Sequence, residues 1–310
     1  MKQFYMRDSL ISSLEKFSTK NKNIYFLSGD FGAPSLDSYR KNCKNFLNMG
    51  IAEQNLINFA CGLALENKIV FGYTISNFIS MRCFEQIRTN ISIMSEYYDL
   101  NINLVGVGAG LSYDISGPSH HGIEDINIIH SLPNIEVITP CDSIFCNQLV
   151  AYMIQNRRPK YIRLDSKPVA NIYSASKKIN LSDGFSIFKK SGSTCAIGNG
   201  YSITLINNFI KGLSRSDISI IDLFNSNFFN EKKLVKSLQG FKKIILVQEN
   251  FENSGGLDSK LIYLKEKYGL KFKFKSLSLN HKYTTDVGDR DYLLNKNGIN
   301  ISKFEKVLNE

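Results

Sequence analysis

The chain has 310 residues, 43% of them hydrophobic and 21% charged, which is enough for roughly two ordinary globular domains and excludes a disordered or fibrous class. Its 38 Lys and Arg against 28 Asp and Glu give a net charge of +10, yet the lysines are dispersed in doublets such as Lys177-Lys178 and Lys242-Lys243, without the basic, aromatic-interleaved stripe of a nucleic-acid binder. No apolar run approaches the roughly 20 residues of a membrane helix and the first residues lack the apolar core of a signal peptide, so a cytoplasmic protein is expected, its six scattered cysteines reduced and holding no metal.

The first predicted strand spans 23–28 and ends in Gly29-Asp30-Phe31-Gly32. Next, Met49-Gly50-Ile51-Ala52-Glu53-Gln54-Asn55 opens an apolar helical run through Leu56, Ile57, Phe59, Ala60, Leu63 and Ala64. A carboxylate at that point is either the exposed first-turn acid that a helix dipole favours or a buried acid with a task. A second strand is expected at 69–73 and a helix over 81–93. Phe78, just before that helix, reads either as core, the default for a lone phenylalanine, or as an exposed stacking platform.

A third strand, 102–107, is rich in β-branched residues and runs into Gly106-Val107-Gly108-Ala109-Gly110. Open α/β sheets place ligands at such strand ends, although the spacing is not that of a dinucleotide fingerprint. The loop from Ser116 to Asp125 holds His120 and His121, two of the four histidines. One imidazole can serve as acid, base or hydrogen-bond donor near neutral pH; alternatively, one caps a helix and the other is exposed. A short helix at 125–131, a strand at 136–139, a helix from Asp142 to Gln155 with an acid at its start and a strand at 159–164 follow.

Residues 165–183 contain Pro168 and a Ser/Ala/Lys tract, which reads as a linker. Beyond it, strands at 194–197, 218–222 and 243–248 alternate with helices starting near Ser202 and Glu231 and after Gly255-Gly256. The expected fold class is α/β, with two domains (1–165 and 185–310, joined by 166–184), each a mainly parallel sheet flanked by helices.

Five stretches, in order and spacing, resemble the C-terminal half of a transketolase. They are Gly50-Ile51-Ala52-Glu53-Gln54-Asn55, the run from Asn77 to Arg88, Gly117-Pro118-Ser119-His120-His121-Gly122-Ile123-Glu124-Asp125, the run from Leu132 to Pro140, and Tyr161-Ile162-Arg163-Leu164. Ile221-Asp222-Leu223-Phe224 and the run from Val247 to Leu257 are similar to that family's last domain. The resemblance implies a thiamine diphosphate pyrimidine-binding domain followed by the transketolase C-terminal domain. In the family, a glutamate at the position of Glu53 hydrogen-bonds N1′ of the cofactor's aminopyrimidine, which promotes loss of the proton from the thiazolium C2. Phe78 matches the aromatic residue that stacks on the pyrimidine, His120 the histidine that contacts a substrate oxygen, and Asp30 an aspartate near the cofactor at the subunit interface.

The family's Gly-Asp-Gly motif with a downstream asparagine, which holds the diphosphate through a metal ion, is absent, and Gly29-Asp30-Phe31-Gly32 is not that motif. The resemblance therefore implies a separate N-terminal transketolase subunit that carries the diphosphate and Mg2+ or Ca2+, in an α2β2 assembly, with no metal ligand on this chain. Substrate positions depart from the family. A histidine is replaced by Gly108, an acid by Ser116, and a phosphate-binding arginine falls near Ser166 with Lys167 adjacent. An arginine fork grips phosphate in a way serine does not. The expected reaction is ketol transfer from a ketose to an aldose on a specialised sugar or sugar phosphate, with His120, His121, Ser116, Arg82, Arg88 and Lys167 as candidate substrate contacts. The other readings are the β-subunit of a 2-oxo-acid dehydrogenase E1 component and a non-catalytic regulatory subunit of the same fold.

Overall fold

A computed structural model describes residues 3–310. The chain starts with β1 (Gln3–Phe4) and α1 (Met6–Ser18), then β2 (Ile24–Ser28), α2 (Pro34–Asn42), β3 (Phe46–Asn48), α3 (Glu53–Leu65) and β4 (Ile69–Ile75). A helical stretch follows in which two π-helical segments, Phe78–Arg82 and Ile87–Ile93, flank the single turn α4 (Phe84–Gln86). Then come β5 (Ile102–Val107), a 3-10 turn at Asp114–Ser116, α5 (Asp125–His130), β6 (Glu136–Ile138), α6 (Ser143–Gln155), β7 (Lys160–Leu164) and β8 (Val169–Ala170).

Strands β5 and β7 are buried at every position, as expected for strands covered by helices on both faces. They are central in a six-stranded sheet of order β3-β2-β4-β5-β7-β6, in which every pairing is parallel. The short β8 lies outside it and pairs antiparallel with β1. The rest of the stretch around β8 is held by Asp142. One carboxylate oxygen caps α6 through Phe145 N at 2.7 Å, and the other accepts from Ile172 N and Tyr173 N, each at 2.7 Å.

The second sheet is built from β9 (Ser186–Lys189), β10 (Thr194–Gly198), α7 (Tyr201–Gly212), β11 (Ile218–Asp222), α8 (Glu231–Leu238), β12 (Lys243–Phe251), α9 (Leu257–Lys267) and β13 (Lys273–Leu279); α10 (Arg290–Lys296) and α11 (Ile301–Asn309) close the chain. Its order is β13-β12-β10-β11-β9, with only the edge strand β9 antiparallel. The α/β class expected from the alternating pattern is borne out. The helix expected over 81–93 begins earlier, with helical residues from Ser76 running into the π-helical segment Phe78–Arg82, and Phe78 and Arg82, four residues apart, share one face.

A buried charge cluster joins the two sheets. Arg290, at the start of α10, donates to Asp165 and, at 2.9 Å, to Glu249, while its backbone N–H donates to Asp114 at 3.2 Å. Its guanidinium carbon lies 3.6 Å from the centroid of the Tyr201 ring. Glu249 also accepts from Leu111 N at 2.8 Å. Burial pushes the Asp165 carboxyl up, and the Arg290 charge pulls it back.

His130 makes a second tie. Its Nδ1 lies 3.0 Å from the Gly255 carbonyl and its Nε2 2.7 Å from the Ser226 hydroxyl. A carbonyl only accepts, so Nδ1 carries the proton and Nε2 accepts from serine: the neutral ring satisfies both. Burial lowers the His130 pKa below its ordinary 6.5. The unfolded chain thus binds the proton more readily, and the contribution of His130 is complete above about pH 6.5 and is lost as pH falls toward the lowered folded value. Melting temperature is expected to drop between pH 7.5 and 5.5, and a His130→Gln chain to drop less over the same interval. Equal slopes would count against the assignment.

All six cysteines are buried and unpaired. Among the described residues, no helix is long and apolar enough to cross a membrane, and no group of three His, Cys, Asp or Glu side chains could hold a metal ion.

Candidate active site

Three loops meet beside the N-terminus of α3. Gly50, at φ +71, makes the turn that delivers Glu53 as the first residue of the helix. Glu53 is only 4% exposed, so of the two readings of this acid the structure selects the buried one. Its Oε1 receives Arg82 Nη1 at 3.1 Å. The same guanidinium lies over Phe78, with its central carbon 3.6 Å from the ring centroid. Gln54 Nε2 donates to the Arg82 carbonyl at 3.1 Å, which fixes the π turn against the helix start.

Phe78 is half-buried, and its ring meets the edge of His120 at 5.5 Å between centroids. Asn77 places the histidine loop by donating to the His121 carbonyl at 2.7 Å and the Ser119 carbonyl at 3.4 Å. Gly110 and Gly122 exchange backbone hydrogen bonds at 2.8 and 2.9 Å. A β-carbon on Gly122 would fall 2.5 Å from the Gly108 carbonyl, so this crossing of the two loops requires glycine.

The two adjacent histidines separate. His121 is fully buried, with Nε2 3.2 Å from the Asp114 carbonyl and Nδ1 without a partner. Burial lowers its pKa, and it supports the loop from within as a neutral ring. His120 is partly exposed, has Nδ1 3.0 Å from Ser119 Oγ, and also meets Tyr113 edge-on at 6.0 Å. A side chain at Gly108, where the family has histidine, would collide with the Tyr113 ring at 2.4 Å.

Phe78, Arg82, Ser119 and Glu124 line a cleft of about 500 Å3, and Tyr283, from the segment after β13, forms part of its wall. Burial raises the Glu124 carboxyl, and the neighbouring Tyr283 phenol draws it back. The structure thus brings Glu53, Phe78, Arg82 and His120 into one contact network. Asp30, exposed at the end of β2 with φ +56, instead accepts from Asn48 at 2.8 Å. Ser116 is exposed at the end of the 3-10 turn. Lys167 pairs with Asp114 at 3.0 Å, and Ser166 Oγ donates to the Ser112 carbonyl at 2.8 Å. Sequence reading gave Glu124 and Tyr283 no role. Glu124 stands inside the histidine motif, whereas nothing local marks Tyr283.

Chemically, a buried carboxylate beside an aromatic face receives a flat group with N–H donors on its edge, as the guanidinium demonstrates. An aminopyrimidine has the same flat face, so Glu53 and Phe78 fit the pyrimidine half of the expected cofactor.

By fold, this is a transketolase-type α/β chain. It superposes with a TM-score of 0.84 on a structure described as split gene transketolase, inactive beta4 tetramer, at 24% identity and with 99% of each chain covered. It also superposes with a TM-score of 0.78 on the transketolase of Campylobacter jejuni, at 17% identity, where all of this chain spans 47% of that one. The chain belongs to the transketolase family: the family model for the transketolase pyrimidine binding domain matches residues 2–169. Similar relatives include the putative transketolase C-terminal section of Methanocaldococcus jannaschii, 27% identical over 98% of this chain and 95% of the relative. An apulose-4-phosphate transketolase subunit from Actinobacillus succinogenes is 25% identical over 82% of this chain and 80% of the relative. The 6-deoxy-6-sulfo-D-fructose transketolase subunit of a Clostridium species is 24% identical over 84% and 80%. The resemblance read from the motifs is therefore borne out at the level of the family.

Proposed function

We propose that this chain is the C-terminal subunit of a split, thiamine-diphosphate-dependent transketolase that transfers a two-carbon ketol unit from a ketose donor to an aldose acceptor. The observation that carries the reading is the buried Glu53 carboxylate beside the Phe78 ring. Residues 1–165 would form the pyrimidine-binding domain and 185–310 the C-terminal domain, joined by 166–184. The family implies thiamine diphosphate, and the names of the relatives as subunits or a C-terminal section support a divided enzyme.

In this reading the bound cofactor supplies the electron sink for cleavage beside the ketose carbonyl. Glu53 holds a proton at N1′ of the aminopyrimidine, and Phe78 holds the ring by stacking. His120, edge-on to Phe78, presents its imidazole to a substrate oxygen. The diphosphate and its Mg2+ or Ca2+ belong to an N-terminal partner subunit in a two-plus-two assembly. The acceptor is a specialised sugar. Ser116 and Ser166 stand where the family places charge, and the neighbouring Lys167 is engaged by Asp114. Relatives named for a sugar phosphate and a sulfo-sugar support that choice.

The test is thiamine diphosphate binding by calorimetry, with this chain alone and after co-expression with the partner. Tight, metal-dependent binding is expected only in the reconstituted complex, where ribose 5-phosphate and xylulose 5-phosphate should be poor substrates. Tight binding by this chain alone would refute the division of the site, and efficient turnover of those two sugars would refute the specialised acceptor.

A further inference from the structure

The contact between Arg82 and Glu53 has a meaning beyond an ion pair. The carboxylate is nearly inaccessible, with 5% of its side chain exposed, whereas 47% of the Arg82 side chain is exposed. The guanidinium satisfies the two surfaces that an aminopyrimidine would use, an N–H on Glu53 at 3.1 Å and a flat face 3.6 Å from the centroid of Phe78. A guanidinium is planar, stacks on aromatic rings and presents its donors in a rigid fork. It is therefore the side chain best suited to imitate a flat ring whose nitrogen shares a proton with Glu53.

We propose that Arg82 is an internal occupant of the pyrimidine seat, and that the aminopyrimidine enters by displacing it. This rests on the reading of Glu53 and Phe78 as the pyrimidine contacts. The seated guanidinium prevents a buried carboxylate from standing unpaired in the free chain, which would otherwise be costly. Because the arginine is half in water, it can swing out without breaking the fold. Phe78 and Arg82 are the first and last residues of one helical segment, and their four-residue spacing sets the two side chains on one face. Displacement exchanges one stacked, hydrogen-bonded planar group for another, so the apparent affinity of the seat is its intrinsic affinity reduced by the fraction of chains with the seat open. Occupancy by Arg82 in about nine chains of ten would weaken binding about tenfold.

The experiment uses the full chain without its partner and a probe that needs no diphosphate site, 4-amino-2-methylpyrimidine, titrated by calorimetry. Arg82→Ala and Arg82→Gln are each expected to bind the probe about tenfold more tightly than the native chain, and Glu53→Gln to weaken binding in every background. In the native chain the same titration, followed by nitrogen NMR of arginine side chains, should move the Arg82 signal as the guanidinium leaves Phe78. If the Arg82 variants bind no more tightly and the signal stays fixed while Glu53→Gln still weakens binding, the internal occupant is refuted and the pyrimidine seat stands. If no chain binds the probe, or Glu53→Gln is without effect, the seat itself is refuted and the occupant with it.

Discussion

A Glu53→Gln chain assembled with the proposed partner is expected to lose about two to four orders of magnitude in kcat/KM, the usual range for removing a positioned proton-transfer group. Glutamine preserves the volume of the side chain and can still accept from Arg82, so the first turn of α3 should pack as before. What it loses is the carboxylate that can share a proton with a ring nitrogen. Cofactor affinity should change far less than turnover, because Phe78 still supplies the stacking face. Steady-state kinetics of the reconstituted complex, paired with calorimetric binding, separate the two effects. Unchanged turnover would remove Glu53 from the mechanism and favour a non-catalytic role for the chain.

The second large effect concerns Arg290. Arg290→Met should destabilise the chain by about 3–5 kcal/mol, because breaking a buried ion pair leaves an uncompensated charge. Asp165 and Glu249 are 3% and 4% exposed, so neither can turn to water when the guanidinium is removed. The loss should shrink at acid pH, where Asp165, whose carboxyl burial already pushes up, takes up a proton and no longer needs a cation. Urea unfolding at pH 7.5 and 5.5 checks both statements. A midpoint within error of the native one at pH 7.5 would show that the cluster contributes little to joining the sheets.

Much of the first sheet is legible because its central strands are short, unbroken apolar runs bounded by glycine and polar residues. Strands β4, β5 and β7 all fall where that pattern puts them. Helix α1 escapes the reading even though Met6, Leu10, Ile11 and Leu14 have helical spacing and are all fully buried. Strand β3 has three residues at a sheet edge and leaves almost no periodic signal. At the candidate site, Glu53, Phe78 and His120 are readable as motifs because each has a recognisable local context. The pairing of Arg82 with Glu53 is not readable, since it joins two elements 29 residues apart that only the tertiary fold brings together. Tyr283 is hidden for the same reason: its neighbour Glu124 belongs to the other sheet's loops.

Tyr113 also constrains what position 108 can hold. Its ring fills the space that a side chain at position 108 would need, and Gly108 sits at φ +108, where any larger residue is strained. A histidine at position 108 would need a smaller residue at 113 and a relaxed backbone. Imidazole at 108 and the Tyr113 ring therefore exclude one another in this backbone, and only a paired substitution at the two positions would admit the imidazole.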